Sequence, residues 1–341
     1  MLLTDKRQSL SRLAGLGTVT SPVKGQLERL QVFMQAQVSQ FEPEVRDLVD
    51  YCLRNGGKRI RPILLFYCGW PMEDHVEDDL VKAASVIEFV HLATLVHDDI
   101  LDGATLRHNH PTVSEKFGSN VAVLVGDALF AQAMRLASDF PTVKICRAVS
   151  AATRRVCAGE IAQTFLSGNA SIGVEEYLQI VDCKTAELFS LSCLLGAELA
   201  GYPADFVEAA EVFGRHLGIG YQIFDDLADF LGSEERIGKT LGTDVAGGKY
   251  TLPLIVLLTK LTEPERRAMV HDLRSVQDPD LAGLNHRMEQ NGVFPAVRDY
   301  FQREIQQAER AIEPFSDFSP TKFLLKISAF VTNRINSLAL D

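Results

Sequence analysis

Over residues 81–102 the chain reads VKAASVIEFVHLATLVHDDILD. Val81, Ala84, Ile87, Val90 and Leu95 recur at helical spacing, so the stretch predicts a helix apolar on more than one face, as in the centre of a bundle. It ends in three aspartates, Asp98, Asp99 and Asp102. Residues four apart on a helix share a face about 6 Å apart along the axis, so Asp98 and Asp102 aim two carboxylates the same way. A second pattern, Phe206, Ala210, Phe213, Leu217, Gly220 and Phe224, leads into Asp225-Asp226-Leu227-Ala228-Asp229 and repeats the arrangement at Asp225 and Asp229.

Helical periodicity continues outward from these two segments. Leu27, Leu30, Phe33 and Met34 form one stripe, Val45, Leu48, Val49 and Cys52 another, and Leu124, Ala128, Leu129 and Ala133 a third. Tyr177, Ile180, Val181, Leu188 and Leu191 read as one further helix, and Phe301 to Ile312 and Phe323 to Ile335 as the last two. Glycine and proline punctuate between them, as at Asn55-Gly56-Gly57 and Gly201-Tyr202-Pro203. No two-residue hairpin turn between alternating strands, no repeat and no linker is read. The expectation is an all-α protein: a flexible segment over 1–20, then a single-domain large helical bundle over 21–341 around a central cavity.

The composition permits a packed core, with 46% apolar and 23% charged residues in a chain of 341. A net charge of −11 has the wrong sign for a protein that grips nucleic acid. The longest stretch without Lys, Arg, Asp or Glu is Ile161–Val174, too short and polar for a membrane span of about 20 apolar residues. The start, Met1 to Arg7, lacks the apolar core of a signal peptide. Six scattered cysteines (Cys52, Cys68, Cys146, Cys157, Cys183, Cys193) without a CxxC pair suit a reducing compartment, so the cytoplasm is expected.

Two like charges held on one face in apolar surroundings are costly unless a cation lies between them. Oxygen-only ligands on a rigid face suit Mg²⁺, which takes one or two carboxylates and completes its shell with water and phosphate. The chain contains its own control. Asp74 and Asp78 are also four apart, but no apolar helix leads into them, and they read as a surface helix start that complements the macrodipole. Basic residues supply the counterpart. Lys58 and Arg61 in GGKRIRP (56–62) are three apart and suited to one phosphate. Arg107-His108 follow the first acid box, Lys184-Thr185 interrupt an apolar helix, and Lys239 and Lys249 follow the second box. Acid boxes that hold metal, with cations beside them, make a site for a diphosphate.

GGKRIRP, HDDILD followed by LRH, VLVGDALFAQA, GEIAQ, KTAELF, QIFDDLADF and GKTLGTDVAGGKYTLP occur in the order found in the trans-isoprenyl diphosphate synthases, which the chain resembles from about residue 50 to 260. The resemblance implies the isoprenoid-synthase type of helical bundle. Lys58, Arg61 and His91 match positions that bind isopentenyl diphosphate. Asp98, Asp102 and Asp225 match ligands of Mg²⁺ ions that bridge the allylic diphosphate; Asp99, Asp226 and Asp229 complete the boxes as ligands or behind them. Arg107, Lys184, Thr185, Gln222, Lys239 and Lys249 match contacts to the allylic substrate. The implied reaction ionises an allylic diphosphate, adds isopentenyl diphosphate to the cation and loses a proton to the released diphosphate. Mg²⁺ and lysines stabilise the leaving group, and Thr185 and Gln222 offer dipoles to the cation without quenching it.

His108 departs from the family, where a second arginine contacts isopentenyl diphosphate. Imidazole lacks the guanidinium fork and is often neutral at physiological pH, so weaker, pH-sensitive binding of that substrate is expected. Product length is read from residues before the first box. Ala93 and Thr94 lie about 6–8 Å down the helix from Asp98 and are not aromatic, resembling members that make long quinone side chains. Phe89, a turn further, is a candidate constriction. The small residues also suit plain helix packing, and a short farnesyl or geranylgeranyl product is the alternative. Family members are commonly homodimers through helix faces such as Val121–Ala133, and a peripheral membrane contact for product release is compatible with the absence of a span. Three rivals rank lower: a terpene cyclase, whose second motif differs from DDLAD; a non-catalytic partner subunit, which would have lost a box; and a di-iron bundle, which needs a second copy of the Glu88-x-x-His91 pattern.

Overall fold

The computed structural model describes residues 16–54, 57–71, 74–232, 242–275 and 280–338. The helices are α1 (Leu16–Thr20), α2 (Lys24–Gln37), α3 (Pro43–Arg54), α4 (Ile60–Cys68), α5 (Asp74–Leu101), α6 (Val113–Phe117), α7 (Ser119–Ser138), α8 (Val143–Leu166) and α9 (Val174–Val181). A π-helix, Asp182–Ala186, joins α9 to α10 (Glu187–Leu199). Then follow α11 (Ala204–Leu231), α12 (Thr243–Ala246), α13 (Leu252–Lys260), α14 (Glu263–Ser275), α15 (Leu281–Gln290), α16 (Val293–Ile312) and α17 (Ser319–Asn336).

The two 28-residue helices, α5 and α11, organise the bundle. α7 lies along α5, while α10 and α16 pack against α11. One contiguous apolar core runs from Val19 to Ile335. Gly126 lets α7 approach the end of α5, because a Cβ there would lie 2.1 Å from the His97 imidazole. His97 Nε2 in turn sits 3.0 Å from the Val123 carbonyl, which anchors the residue before the first acid box.

Three expectations need correction. Leu106–Arg107 and His110–Pro111 form a small antiparallel ladder, β1 and β2. His108 and Asn109 connect them at φ 51° and 64°, both positive as a two-residue hairpin turn requires. Strands of two residues carry no alternation to read, and asparagine's tolerance of the left-handed region was the available signal. At the N-terminus, residues 16–20 are helical rather than part of a flexible segment. Val19 is buried and its carbonyl accepts a hydrogen bond from Tyr67, so apolar contact and a core hydroxyl tie the helix down. Finally, Val76–Leu101 and Ser119–Ser138 are both long and apolar enough to cross a membrane. Most of the first is buried within the bundle, which accounts for its apolar character.

Candidate active site

The acid boxes occupy the C-terminal ends of α5 and α11, and neither last turn carries a basic residue. Carboxylates at a helix C-terminus oppose the macrodipole, so both positions require outside cations. For the first box these are lysines distant in sequence. Lys249 Nζ pairs with Asp102 at 2.7 Å, and Lys184 Nζ lies 3.9 Å from Asp98. Lys184 is also held by Glu160 at 2.5 Å and Gln163 at 2.7 Å, both from α8. Burial, with Glu160 and Asp102 nearby, pushes the Asp98 carboxyl up to about 6 against the pull of Lys184.

Not every aspartate of the boxes faces this space. Arg107 takes Asp99 in a forked pair, with Nε and Nη2 at 2.9 and 2.7 Å from Oδ1. Asp99 is therefore taken up by Arg107, and the Arg107 guanidinium is committed to it. Asp226 is buried, accepts from Tyr177 at 2.5 Å and Gln222 at 2.7 Å, and is pushed up to about 7 mainly by burial and by Asp244. Asp229 is fully buried, whereas Asp225 is partly exposed. Asp98 and Asp225 are partly exposed and Asp102 is exposed, so these three carboxylates are accessible from solvent. Among the described residues, no three Asp, Glu, His or Cys side chains come close enough to enclose a metal.

Thr185 and Gln222 are brought together: Thr185 Oγ1 donates to the Gln222 amide oxygen at 2.8 Å, and the amide nitrogen passes the chain on to Asp226. The π-helix brings Lys184 and Thr185 to this point. The single-helix reading of Tyr177 to Leu191 missed it, because an extra backbone residue needs no glycine or proline to announce it.

Beside the acid cluster lies a cationic one. His91 has Arg61, Arg107, Arg59 and His108 around it; burial first, then these charges, hold its imidazole well below the usual histidine range, so it stays neutral. Arg59, at φ 54° before α4, pairs with the buried Glu88. Glu88 is thus engaged, which removes the Glu88-x-x-His91 pattern as a metal motif. The Arg61 guanidinium lies 4.9 Å over the Phe189 ring, and its buried Nε has no hydrogen-bond partner. A buried charged donor in that condition calls for an anion. A Cβ on Gly57 would sit 3.7 Å from His108 Nε2, so the hairpin turn brings His108 against the glycine loop. Lys58 is exposed and lines a shallow groove with Arg334 of α17.

Of the chain-length candidates, Phe89 and Ala93 are fully buried, and Thr94 is half-buried with its hydroxyl donating to the His91 carbonyl at 2.8 Å. Lys239 lies outside the described residues. The sequence reading passed over Arg59, Glu160, Gln163 and Tyr177. GEIAQ carried the resemblance without a role assigned to its Glu160 and Gln163, and an acid beside a lysine-bearing segment was the signal available.

An all-helical bundle with two aspartate boxes at helix ends, lysines among them and a buried arginine seeking an anion defines a diphosphate-handling protein of the isoprenoid-synthase type. The sequence profile of the polyprenyl synthetase family matches residues 42–284, and the chain belongs to that family of prenyltransferases. It is 30% identical over 324 residues to an all-trans-nonaprenyl-diphosphate synthase (geranyl-diphosphate specific) of Rhodobacter capsulatus, covering 93% of this chain and 97% of that one. It is 29% identical over 300 residues to the octaprenyl diphosphate synthase of Escherichia coli, covering 85% and 90%. Among solved structures, a polyprenyl synthase from Caulobacter crescentus complexed with calcium and isoprenyl diphosphate superposes with a TM-score of 0.85 at 27% identity, over 93% of this chain and 97% of that one.

Proposed function

We propose that this chain condenses isopentenyl diphosphate with an allylic diphosphate in the presence of Mg²⁺, repeatedly, to build a long all-trans polyprenyl diphosphate. The carrying observation is that two clusters of opposite charge share one site, joined by the Arg107–Asp99 pair. Asp98 and Asp102, with Lys184 and Lys249 beside them, and Asp225 of the second box suit the metal-bound allylic diphosphate. Arg61 and His108 beside neutral His91, with exposed Lys58 three residues before Arg61, suit isopentenyl diphosphate.

The donor set fits Mg²⁺: it is all oxygen, and Asp98 and Asp102 lie four apart on one face at the end of α5. Bound there, the ion supplies positive charge to the leaving diphosphate. Lys184 and Lys249 add fixed charge where the leaving group develops its own. Arg61 holds the second substrate with its double bond toward the allylic carbon, and its stacking on Phe189 keeps the guanidinium in place. Thr185 and Gln222 present oriented dipoles to the allylic cation but no nucleophile that would trap it. The proton lost after bond formation goes to the released diphosphate.

The long-chain synthases among the relatives support a long product, and the calcium-bound neighbour supports a divalent metal. Homodimerisation through α7 is part of the reading, since Val123 and Leu124 leave 44% and 67% of their surface exposed on an apolar helix. So is a cytoplasmic setting with a peripheral membrane contact for release; all six cysteines are free.

Incubation with isopentenyl diphosphate, farnesyl diphosphate and Mg²⁺, with products sized by mass spectrometry, tests the reading. A ladder ending well past geranylgeranyl length is expected. Termination at farnesyl or geranylgeranyl length from every primer would overturn the long-chain assignment, and no condensation with any primer would overturn the enzyme in favour of a partner subunit. In the same assay, His108→Arg is expected to lower KM for isopentenyl diphosphate roughly tenfold, the value of one charge-assisted contact, and to flatten its pH dependence. An unchanged KM would remove His108 from that site.

A further inference from the structure

The π-helix that presents Lys184 and Thr185 is gripped on its far side by four charged side chains that take no part in the chemistry above. Asp182 opens the π-helix and Glu187 directly follows its last residue. Arg155, from α8, donates from Nε to Glu187 Oε2 and from Nη2 to Asp182 Oδ2, each at 2.7 Å. Arg215, from α11, donates from Nη1 to Asp182 Oδ1 at 2.7 Å, and its Nη2 reaches the same Glu187 oxygen at 3.3 Å. Two arginines on two different helices thus span the same two carboxylates, and those carboxylates bracket the five π residues. Glu187 is buried, while Arg155, Asp182 and Arg215 keep 39%, 27% and 28% of their side-chain surface exposed, so the network is anchored at Glu187 and opens to solvent at its arginines.

α8 holds the π-helix a second time, one turn beyond Arg155. A Cβ at Gly159 would sit 2.8 Å from both Cys183 Cβ and the Lys184 nitrogen, so only glycine allows this backbone approach. One turn further, Gln163 receives the Lys184 ammonium at 2.7 Å. Arg155, Gly159 and Gln163 are four apart, a single face of α8 laid along the π-helix.

A π-helix is poorly favoured and survives where its surroundings over-determine it. Rewinding to α would shift the following residues by one position, about 100° around the axis, and carry Lys184 and Thr185 off their partners. We propose that Arg155 and Arg215 are positioning residues: their joint hold on Asp182 and Glu187 keeps the π-helix wound and so sets Lys184 and Thr185 at the allylic diphosphate. The inference rests on the reading of Lys184 as a diphosphate contact.

A double-mutant cycle in steady-state kinetics with Mg²⁺ tests it. Arg155→Leu is expected to raise KM for the allylic primer about tenfold or more, the scale at which residues in one network couple, with KM for isopentenyl diphosphate unchanged. In a Lys184→Ala background the same substitution is expected to cost far less, and Arg155→Lys to recover part of the loss. Glu187→Gln, which keeps the volume and removes one charge, is expected to show the same split and covers the case in which Arg155→Leu does not fold. Equal losses in both backgrounds, or parallel rises in both KM values with a lowered melting temperature, would reduce the clamp to a structural support and overturn the proposal. An unaltered primer KM in Lys184→Ala alone would instead overturn the reading of Lys184 beneath it.

Discussion

In metal-free, mildly alkaline buffer an Asp98→Asn variant is expected to melt several degrees above the parent protein, while its condensation rate, assayed with Mg²⁺, falls by at least about 100-fold, the usual cost of removing one preorganised electrostatic group. The two effects have opposite signs for one physical reason. Burial is the main cause lifting the Asp98 carboxyl from 3.8 to about 6, with Glu160 and Asp102 adding to it. The folded value lies above the unfolded one, so the native state retains a proton that the unfolded chain releases, and ionisation costs more in the fold. The penalty is absent below pH 3.8, grows between 3.8 and about 6, and is complete above that. A gap of about two pK units corresponds to on the order of 3 kcal/mol. Asparagine keeps the shape, removes the ionisation and therefore the penalty, but it also removes a carboxylate proposed to hold the metal. Calorimetry across pH on both proteins checks the first effect, and the advantage should fade in acid. With Mg²⁺ and an unreactive diphosphate analogue present the order should reverse, because a ligand that binds only the native state stabilises the parent more. A variant less stable than the parent in alkaline buffer would mean that Asp98 is a structural carboxylate.

The same contrast separates what was legible in the sequence from what was not. α5 and α11 were readable because each runs 28 residues with an apolar pattern that leaves little alternative to a buried helix, and their aspartates sit where charge is expensive. Periodicity reports which face of a helix is apolar. It does not report which helix that face will meet. The Lys249–Asp102 pair joins residues 147 apart, and Thr185 reaches Gln222 across 37. Resemblance placed those residues in one site; helical spacing alone did not. The resemblance left open whether Asp99 and Asp226 act as ligands or stand behind them. Only the folded chain shows that Arg107 occupies one, and Tyr177 with Gln222 the other.

Winding is illegible for a different reason. Nothing in Asp182-Cys183-Lys184-Thr185-Ala186 disfavours an ordinary α-helix, and the π form is explained by tertiary contacts from α8 and α11 rather than by local preference. The hairpin at His108-Asn109 is the opposite case, since its signal was local but confined to two positive-φ residues and short strands. Its consequence is functional: the tight reversal returns the chain so that His108 comes beside Gly57. A longer loop would not fix that approach.

Ala93→Phe is expected to shorten the product by several five-carbon units while leaving the first condensation close to its original rate. Ala93 lies five residues before Asp98, about 7.5 Å along the axis of α5, below the diphosphate-binding groups rather than among them. It and Phe89, one turn further, are both fully buried, so there is no slack on this face for an added ring. A phenyl group there must take its volume from whatever space the growing tail uses. Overpacking of this kind costs about 1–3 kcal/mol, so the melting temperature must be read alongside the product ladder. Thr94→Phe provides the second test, because Thr94 is half-buried and its hydroxyl is satisfied within the helix at the His91 carbonyl, leaving no polar group orphaned by its loss. A change in length with the first step retained distinguishes a wall from a damaged site, since none of the carboxylates, lysines or arginines that handle diphosphate is touched. If both variants fold and both keep the parent ladder, the tail does not pass along this face of α5, and Ala93 is small only so that its neighbours can pack.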